Sequence, residues 1–178
     1  MRSFIVSACL VLLSTTAYFP KVNGAHGDTL LITAVRRNNM DDVKRLLDNG
    51  ADAKLIDSSG NTALMYAIEN GNKKMVELLL PASDAKTSNK YGTTVLMYAA
   101  EAGNEKIVEL LLPVSDAKAR NNDGYTALMC AAKVGNKIMV ELLFPESDAK
   151  VINNIEETAL DLAKSNKNDQ IVRLLQQM

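Results

Sequence analysis

The chain has 178 residues, a length that suits one domain, and its 20 basic and 21 acidic residues nearly cancel. That balance leaves no basic footprint for nucleic acid. Apolar residues make up 47% and aromatic residues 4%, with no Trp, so the core must come from Leu, Met, Val, Ile and Ala. The mix favours helices, because straight-chain and small side chains lose little rotamer freedom in them.

The first two dozen residues differ from the rest. Met1-Arg2-Ser3 is a short cationic start, and Phe4 to Leu13 is apolar apart from Ser7. Small residues follow at Thr15, Thr16 and Ala17, then Val22-Asn23-Gly24-Ala25. This layout predicts a secretory signal peptide over residues 1–24, with cleavage after Gly24 or Ala17. The apolar run is too short for a stable anchor, which needs about 20 residues. Cys9 lies within it without a lipoprotein-type cleavage context, so no stable membrane anchor is expected after cleavage. Removing Arg2 and Lys21 leaves 18 of the 20 basic residues against 21 acidic ones, a net charge of −3. Cys130 is then the one remaining cysteine, so no internal disulfide can form in an oxidising compartment.

Residues 25–178 are built on a repeat. Gly60-Asn-Thr-Ala-Leu64 recurs as Gly92-Thr-Thr-Val-Leu96, Gly124-Tyr-Thr-Ala-Leu128 and Glu156-Glu-Thr-Ala-Leu160, each 32 residues apart. Gly27-Asp-Thr-Leu-Leu31 lies 33 residues earlier. A second block reads Met75-Val-Glu-Leu-Leu-Leu80, Ile107-Val-Glu-Leu-Leu-Leu112, Met139-Val-Glu-Leu-Leu-Phe144 and Ile171-Val-Arg-Leu-Leu175. A third is Asp-Ala-Lys, starting at Asp52, Asp84, Asp116 and Asp148. The unit boundaries fall at about 27–57, 58–89, 90–121, 122–153 and 154–178.

Each unit translates into two helices. Thr62, Thr94, Thr126 and Thr158 precede apolar helical runs and can cap them. The first helix, as in Thr62 to Asn70, is predicted to stop at Gly71, Gly103 and Gly135, with Asn38 and Asn166 in the end copies. A second helix, as in Lys73 to Leu80, carries a wide apolar face for its neighbours. Pro81, Pro113 and Pro145 end it. A polar stretch such as Lys86 to Tyr91 leads to the next glycine. Arg36, Arg37, Asp41 and Asp42 make the first unit polar, and the last closes on Gln176-Gln177, as terminal caps are expected to.

These blocks resemble the ankyrin repeat, whose consensus carries a T-P-L-H-x-A-A block, a glycine, an I-V-x-L-L-L block and a G-A-D segment. The counterparts are Thr62-Ala-Leu-Met-Tyr-Ala67, Thr94-Val-Leu-Met-Tyr-Ala-Ala100 and Thr126-Ala-Leu-Met-Cys-Ala-Ala132. The chain departs from the consensus at Ala63, Val95 and Ala127 in place of proline, and at Met65, Met97 and Met129 in place of histidine. The resemblance implies an all-α ankyrin-repeat solenoid of about five stacked helix–turn–helix units with hairpin-like loops.

It also implies a non-catalytic module that binds a protein partner through its loop tips and first helices, a rigid and slightly concave surface. By analogy the contact positions are Leu55, Ser58, Ser59, Asn61, Glu69 and Asn70 in one unit. The next offers Thr87, Lys90, Tyr91, Thr93, Glu101 and Ala102, and the third Ala119, Asn122, Asp123, Tyr125, Lys133 and Val134. Tyr91 and Tyr125 are the expected anchors, whereas Tyr66 and Tyr98 fall among core positions. His26 stands alone, Cys130 replaces a helix tyrosine, and the Asp of each Asp-Ala-Lys block sits at a turn phase. No nucleophile–base pair, phosphate loop or metal-ligand spacing is present, so no enzyme, metal or cofactor is expected. The reading is a secreted, monomeric protein-interaction module. The same features also fit a periplasmic or lumenal accessory protein that protects or inhibits a resident enzyme.

Overall fold

Threonine and asparagine start the helices in alternation. In the computed structural model, which describes residues 29–177, the first helices of the units are α1 (Leu30–Arg36), α3 (Ala63–Glu69), α5 (Val95–Ala102), α7 (Ala127–Val134) and α9 (Ala159–Ser165). Thr29, Thr62, Thr94, Thr126 and Thr158 stand just before them in extended backbone. Each Oγ1 accepts the N–H three residues on, as from Ile32 at 3.0 Å and Met97 at 3.3 Å. The second helices are α2 (Met40–Asp48), α4 (Lys73–Leu79), α6 (Glu105–Leu111), α8 (Lys137–Leu143) and α10 (Asp169–Gln177). Asn39, Asn72, Asn104, Asn136 and Asn168 cap these in the same way. The expected signal peptide and His26 lie outside the described residues.

The asparagines also link units. Asn104 Nδ2 donates to the Gly71 carbonyl at 3.3 Å, Asn168 Nδ2 to that of Gly135 at 3.1 Å, and Asn72 Nδ2 to Asn38 Oδ1 at 2.7 Å. Left-handed backbone at the helix ends falls on Gly71, Gly103, Gly135 and Asn38, as the spacing predicts. The final copy differs. Lys167, with φ of 56°, takes the left-handed conformation, and Asn166 keeps φ of −86° as the C-cap. The 32-residue step from Gly135 lands on position 167, so the register, and not the asparagine's tolerance of positive φ, decides which residue is left-handed.

The first helices stack side by side in the order α1, α3, α5, α7, α9, and α4, α6, α8 and α10 form a second row behind them. Between the rows lies one continuous apolar core. Leu64, Leu96 and Leu128 from the first row meet Val76, Leu79, Val108, Leu111, Val140 and Leu143 from the second, all fully buried. Met65, Met97 and Met129, each 1% exposed, occupy the positions where the consensus has histidine. An unbranched thioether fills that space without needing a polar partner.

The shortened inter-unit connection keeps its hydrogen bonds at Ser83 and Ser115, whereas Ser147 Oγ is buried without a partner. Pro81 and Pro145 sit in 3-10 turns, Leu80–Ala82 and Phe144–Glu146, directly after α4 and α8. Ser83 Oγ donates to the Leu79 carbonyl at 2.8 Å, answering an acceptor at the helix end. Asp52, Asp84, Asp116 and Asp148 each accept the backbone N–H two residues on at 2.9 Å. The repeated aspartates are turn formers, as their phase predicts.

Candidate protein-binding face

Every loop tip is organised by one amide or carboxylate. Asp57, Asn89, Asn121 and Asn153 recur five residues before the capping threonine. Each Oδ1 accepts two backbone N–H groups, those two and four residues on; at Asn89 these are Tyr91 at 2.9 Å and Thr93 at 3.0 Å. The backbone closes the same loop, with Asn89 N–H donating to the Thr93 carbonyl at 3.1 Å. Short antiparallel bridges, Ile56 with Thr62 and Ser88 with Thr94, make two of the loops hairpin-like. The sequence reading passed over these four residues, although their fixed offset from the threonine was a usable signal.

Neighbouring tips are bonded to each other. Lys90 N–H donates to the Ser59 carbonyl at 3.1 Å, Asn122 N–H to Tyr91 at 2.9 Å, and Asn154 N–H to Asp123 at 2.9 Å. Asn122 Nδ2 reaches the Lys90 carbonyl at 3.0 Å, and Asn154 Nδ2 that of Asn122 at 2.8 Å. The tips therefore form one strip running across the units. A partner meeting it orders few backbone groups on binding, which limits the entropy lost.

Below the strip, a polar network crosses the first-helix face. Tyr66 Oη donates to Asp57 Oδ2 at 2.6 Å, and Tyr98 Oη to Asn61 Oδ1 at 3.1 Å. Asn89 Nδ2 donates to Asn61 Oδ1 and to Tyr98 Oη, both at 3.0 Å. Both tyrosines are half-buried, and their hydroxyls serve the fold, consistent with the structural role expected of them. Burial raises the Tyr66 phenol, and the Asp57 contact raises it further. Burial also raises the Tyr98 phenol, opposed by the Asn89 hydrogen bond and reinforced by the carboxylates of Glu69, Glu101 and Asp57.

Asp57 is the one acid among the four loop organisers. Burial pushes its carboxyl up, but hydrogen bonds from Tyr66, Asn61 and Ser59, with the charge of Arg36, outweigh burial and hold it below the usual range. A group depressed in the folded state stabilises fully above its unfolded value of about 3.9, and that contribution is lost as pH falls through the folded value. Asp57→Asn recreates the arrangement already present at Asn89. Urea melts of the two proteins are expected to keep a constant gap from pH 5 to 8, above the range in which carboxyl groups ordinarily titrate. Below about pH 4 the gap should move in favour of the variant. A gap that stays constant to pH 3 would contradict the charge assignment.

The sequence-predicted contact residues divide into two groups. Ser58, Glu69, Lys90, Tyr91, Glu101, Asp123 and Lys133 are exposed on the tips and first-helix ends, as are Ala102 and Val134. Tyr91, at 65% exposure, projects from its tip. The others are tied into the stack or partly covered. Asn61 belongs to the polar network, Asn70 Nδ2 donates to the Val35 carbonyl at 2.9 Å, and Asn122 links tips. Leu55, Ser59, Thr87, Thr93 and Ala119 are half-buried. Tyr125 is half-buried beneath its own Lys133, whose Nζ sits 5.1 Å from the ring centroid, so Tyr91 is the freer of the two expected anchors. Cys130 is 3% exposed; burial, then the Glu101 carboxylate, push its thiol up to about 12, which leaves it protonated and inert. Among the described residues no cluster of three metal-binding side chains occurs, and no helix is long and apolar enough to cross a membrane.

The sequence model of ankyrin repeats (3 copies) matches residues 7–89, 31–119 and 96–178. The chain is 47% identical over 55 residues to a human mitochondrial disaggregase, covering 31% of this chain and 8% of that protein. It is 46% identical over 55 residues to a putative ankyrin repeat protein of Acanthamoeba polyphaga mimivirus, covering 30% of this chain and 13% of that one. The matched stretch is thus a small part of each relative's length.

Proposed function

Because the chain belongs to the ankyrin repeat family, whose repeats are generally protein-interaction modules and generally non-catalytic, we propose that it is a non-enzymatic, monomeric protein that binds a protein partner outside the cytosol. The observation that carries this reading is the strip of bonded loop tips, which holds exposed Ser58, Lys90, Tyr91 and Asp123 in one fixed row above the exposed ends of α3, α5 and α7. Such a row suits a partner surface better than a small molecule, because it offers length and no deep enclosure. Export is supported by the cationic start and the apolar run of Phe4 to Leu13, with removal after Gly24 or Ala17.

Affinity capture from the medium and from cell fractions, with the chain as bait, tests both halves. Wild type is expected to recover a protein that the Lys90→Ala, Tyr91→Ala double variant recovers at least about tenfold less well, since exposed aromatic anchors dominate interface energetics. Equal recovery by both, or none above background, would reject the reading. N-terminal sequencing of the chain expressed in its own cells should begin at Ala25 or Tyr18; an intact Met1 would reject export.

A further inference from the structure

We propose that a cavity at the foot of the fourth loop tip receives an aliphatic segment of the partner flanked by acidic residues; this rests on the protein-binding reading above. The cavity, of about 650 Å³, lies between the fourth connection and the last unit. Phe144, Ala149, Leu160 and Leu175 line it, with exposed Lys118 and Lys150 at its rim. Leu160 and Leu175 are half-buried, whereas Leu96 and Leu111, at the same phase in the third unit, are fully buried. Elsewhere the end of the stack is made polar. Asp161 and Lys164 stand where the third unit has buried Met97 and Ala100, and they pair at 3.5 Å. The part of the end face left apolar is the part that forms the cavity.

The matching space two units earlier indicates what belongs there. Lys54, Leu80, Ser83, Asp84 and Lys86 line it as Lys118, Phe144, Ser147, Asp148 and Lys150 line the cavity, and Val114 of the next connection completes it. Ser115, beside Val114, donates its hydroxyl to the Ala85 carbonyl at 3.2 Å. At the last unit no aliphatic residue takes the place of Val114 among the described residues. Ser147 Oγ, on the wall, is buried and unpaired, whereas Ser83 and Ser115 are bonded. The missing neighbour is an aliphatic side chain on a backbone that offers polar groups, which favours a peptide over a bare hydrocarbon chain. Charge selects its flanks. Lys118 and Lys150 pair with no carboxylate among the described residues, and Asp148, the one acid of the lining, holds the Lys150 N–H at 2.9 Å. Ala149 and Lys150 lead into the fourth tip, where Ile152 and Ile155 are 46% and 70% exposed. Tip and cavity thus offer one partner adjoining apolar contacts.

The test uses the full chain, its Lys118→Gln, Lys150→Gln double variant, and a labelled peptide of aliphatic residues flanked by glutamates. Counterpart peptides carry lysine flanks or a serine centre. Anisotropy titrations should show binding of the aliphatic, acid-flanked peptide alone. Binding should weaken from about 0.05 to 0.3 M salt, and the double variant should bind about five- to tenfold more weakly. Both substituted lysines are exposed, so the variant's Tm should match that of wild type. The Lys90→Ala, Tyr91→Ala variant should bind the peptide as wild type does. No binding by wild type, equal affinity for the lysine-flanked peptide, or equal affinity in the double variant would overturn the proposal. So would binding of decanoate in place of the peptide, or a concentration-dependent doubling of mass that the double variant loses. If wild type captures a natural partner and the Lys118, Lys150 variant captures it equally well, this inference fails while the protein-binding reading stands.

Discussion

Replacing Leu111 by Ala is expected to destabilise the protein by about 2–5 kcal/mol in urea melts. Leu111 ends α6, the second helix of the middle unit, and is fully buried. Helix α6 packs against α5 within its unit and against α4 and α8 on either side. Shortening the side chain therefore removes contacts in three directions and leaves a space that rigid helices cannot close, so cavity and transfer losses add. The adjacent Leu110 is half-buried at the edge of the same helix, and Leu110→Ala should lose about 1 kcal/mol or less. Equal effects at the two positions would contradict the assignment of the core.

The second large effect is expected at a loop tip. Gly92 has φ of 74°, and a Cβ there would lie 2.9 Å from the Asn122 backbone nitrogen and 3.0 Å from Asn121 Cα. Those neighbours belong to the next tip, which is held by the Asn122 N–H bond to the Tyr91 carbonyl. Gly92→Ala adds left-handed strain of about 1–2 kcal/mol and also forces two bonded tips apart. A total loss above about 2 kcal/mol is expected. Gly50 separates the two terms, because its φ of 81° is as demanding but nothing lies within 4 Å of its Cβ position. Gly50→Ala should show the strain alone, and a matching loss at both glycines would mean that the tips are not in contact.

Most of the architecture was legible because stacking repeats the same physical demand in every unit. A threonine before an apolar run has one effective use, capping, and five threonines do it. The second helix stops one residue short of the expected Leu80, where proline at the next position forces a 3-10 turn. In the end copy register outweighs residue preference, so Lys167 and not Asn166 takes the left-handed conformation. Less of the face was legible. Asn61, Asn70 and Asn122 look like free polar residues in sequence, yet each bonds to a residue of a neighbouring unit roughly one repeat away, which local pattern does not reveal.

The central claim is that the tips and first-helix ends form the partner-binding face. Hydrogen exchange of the chain with and without its captured partner tests this most directly. New protection is expected at residues 58–61, 90–93 and 122–125 and at the ends of α3, α5 and α7, with α4, α6 and α8 unchanged. Protection concentrated on α4, α6 and α8, with the tips exchanging as in the free chain, would contradict the account.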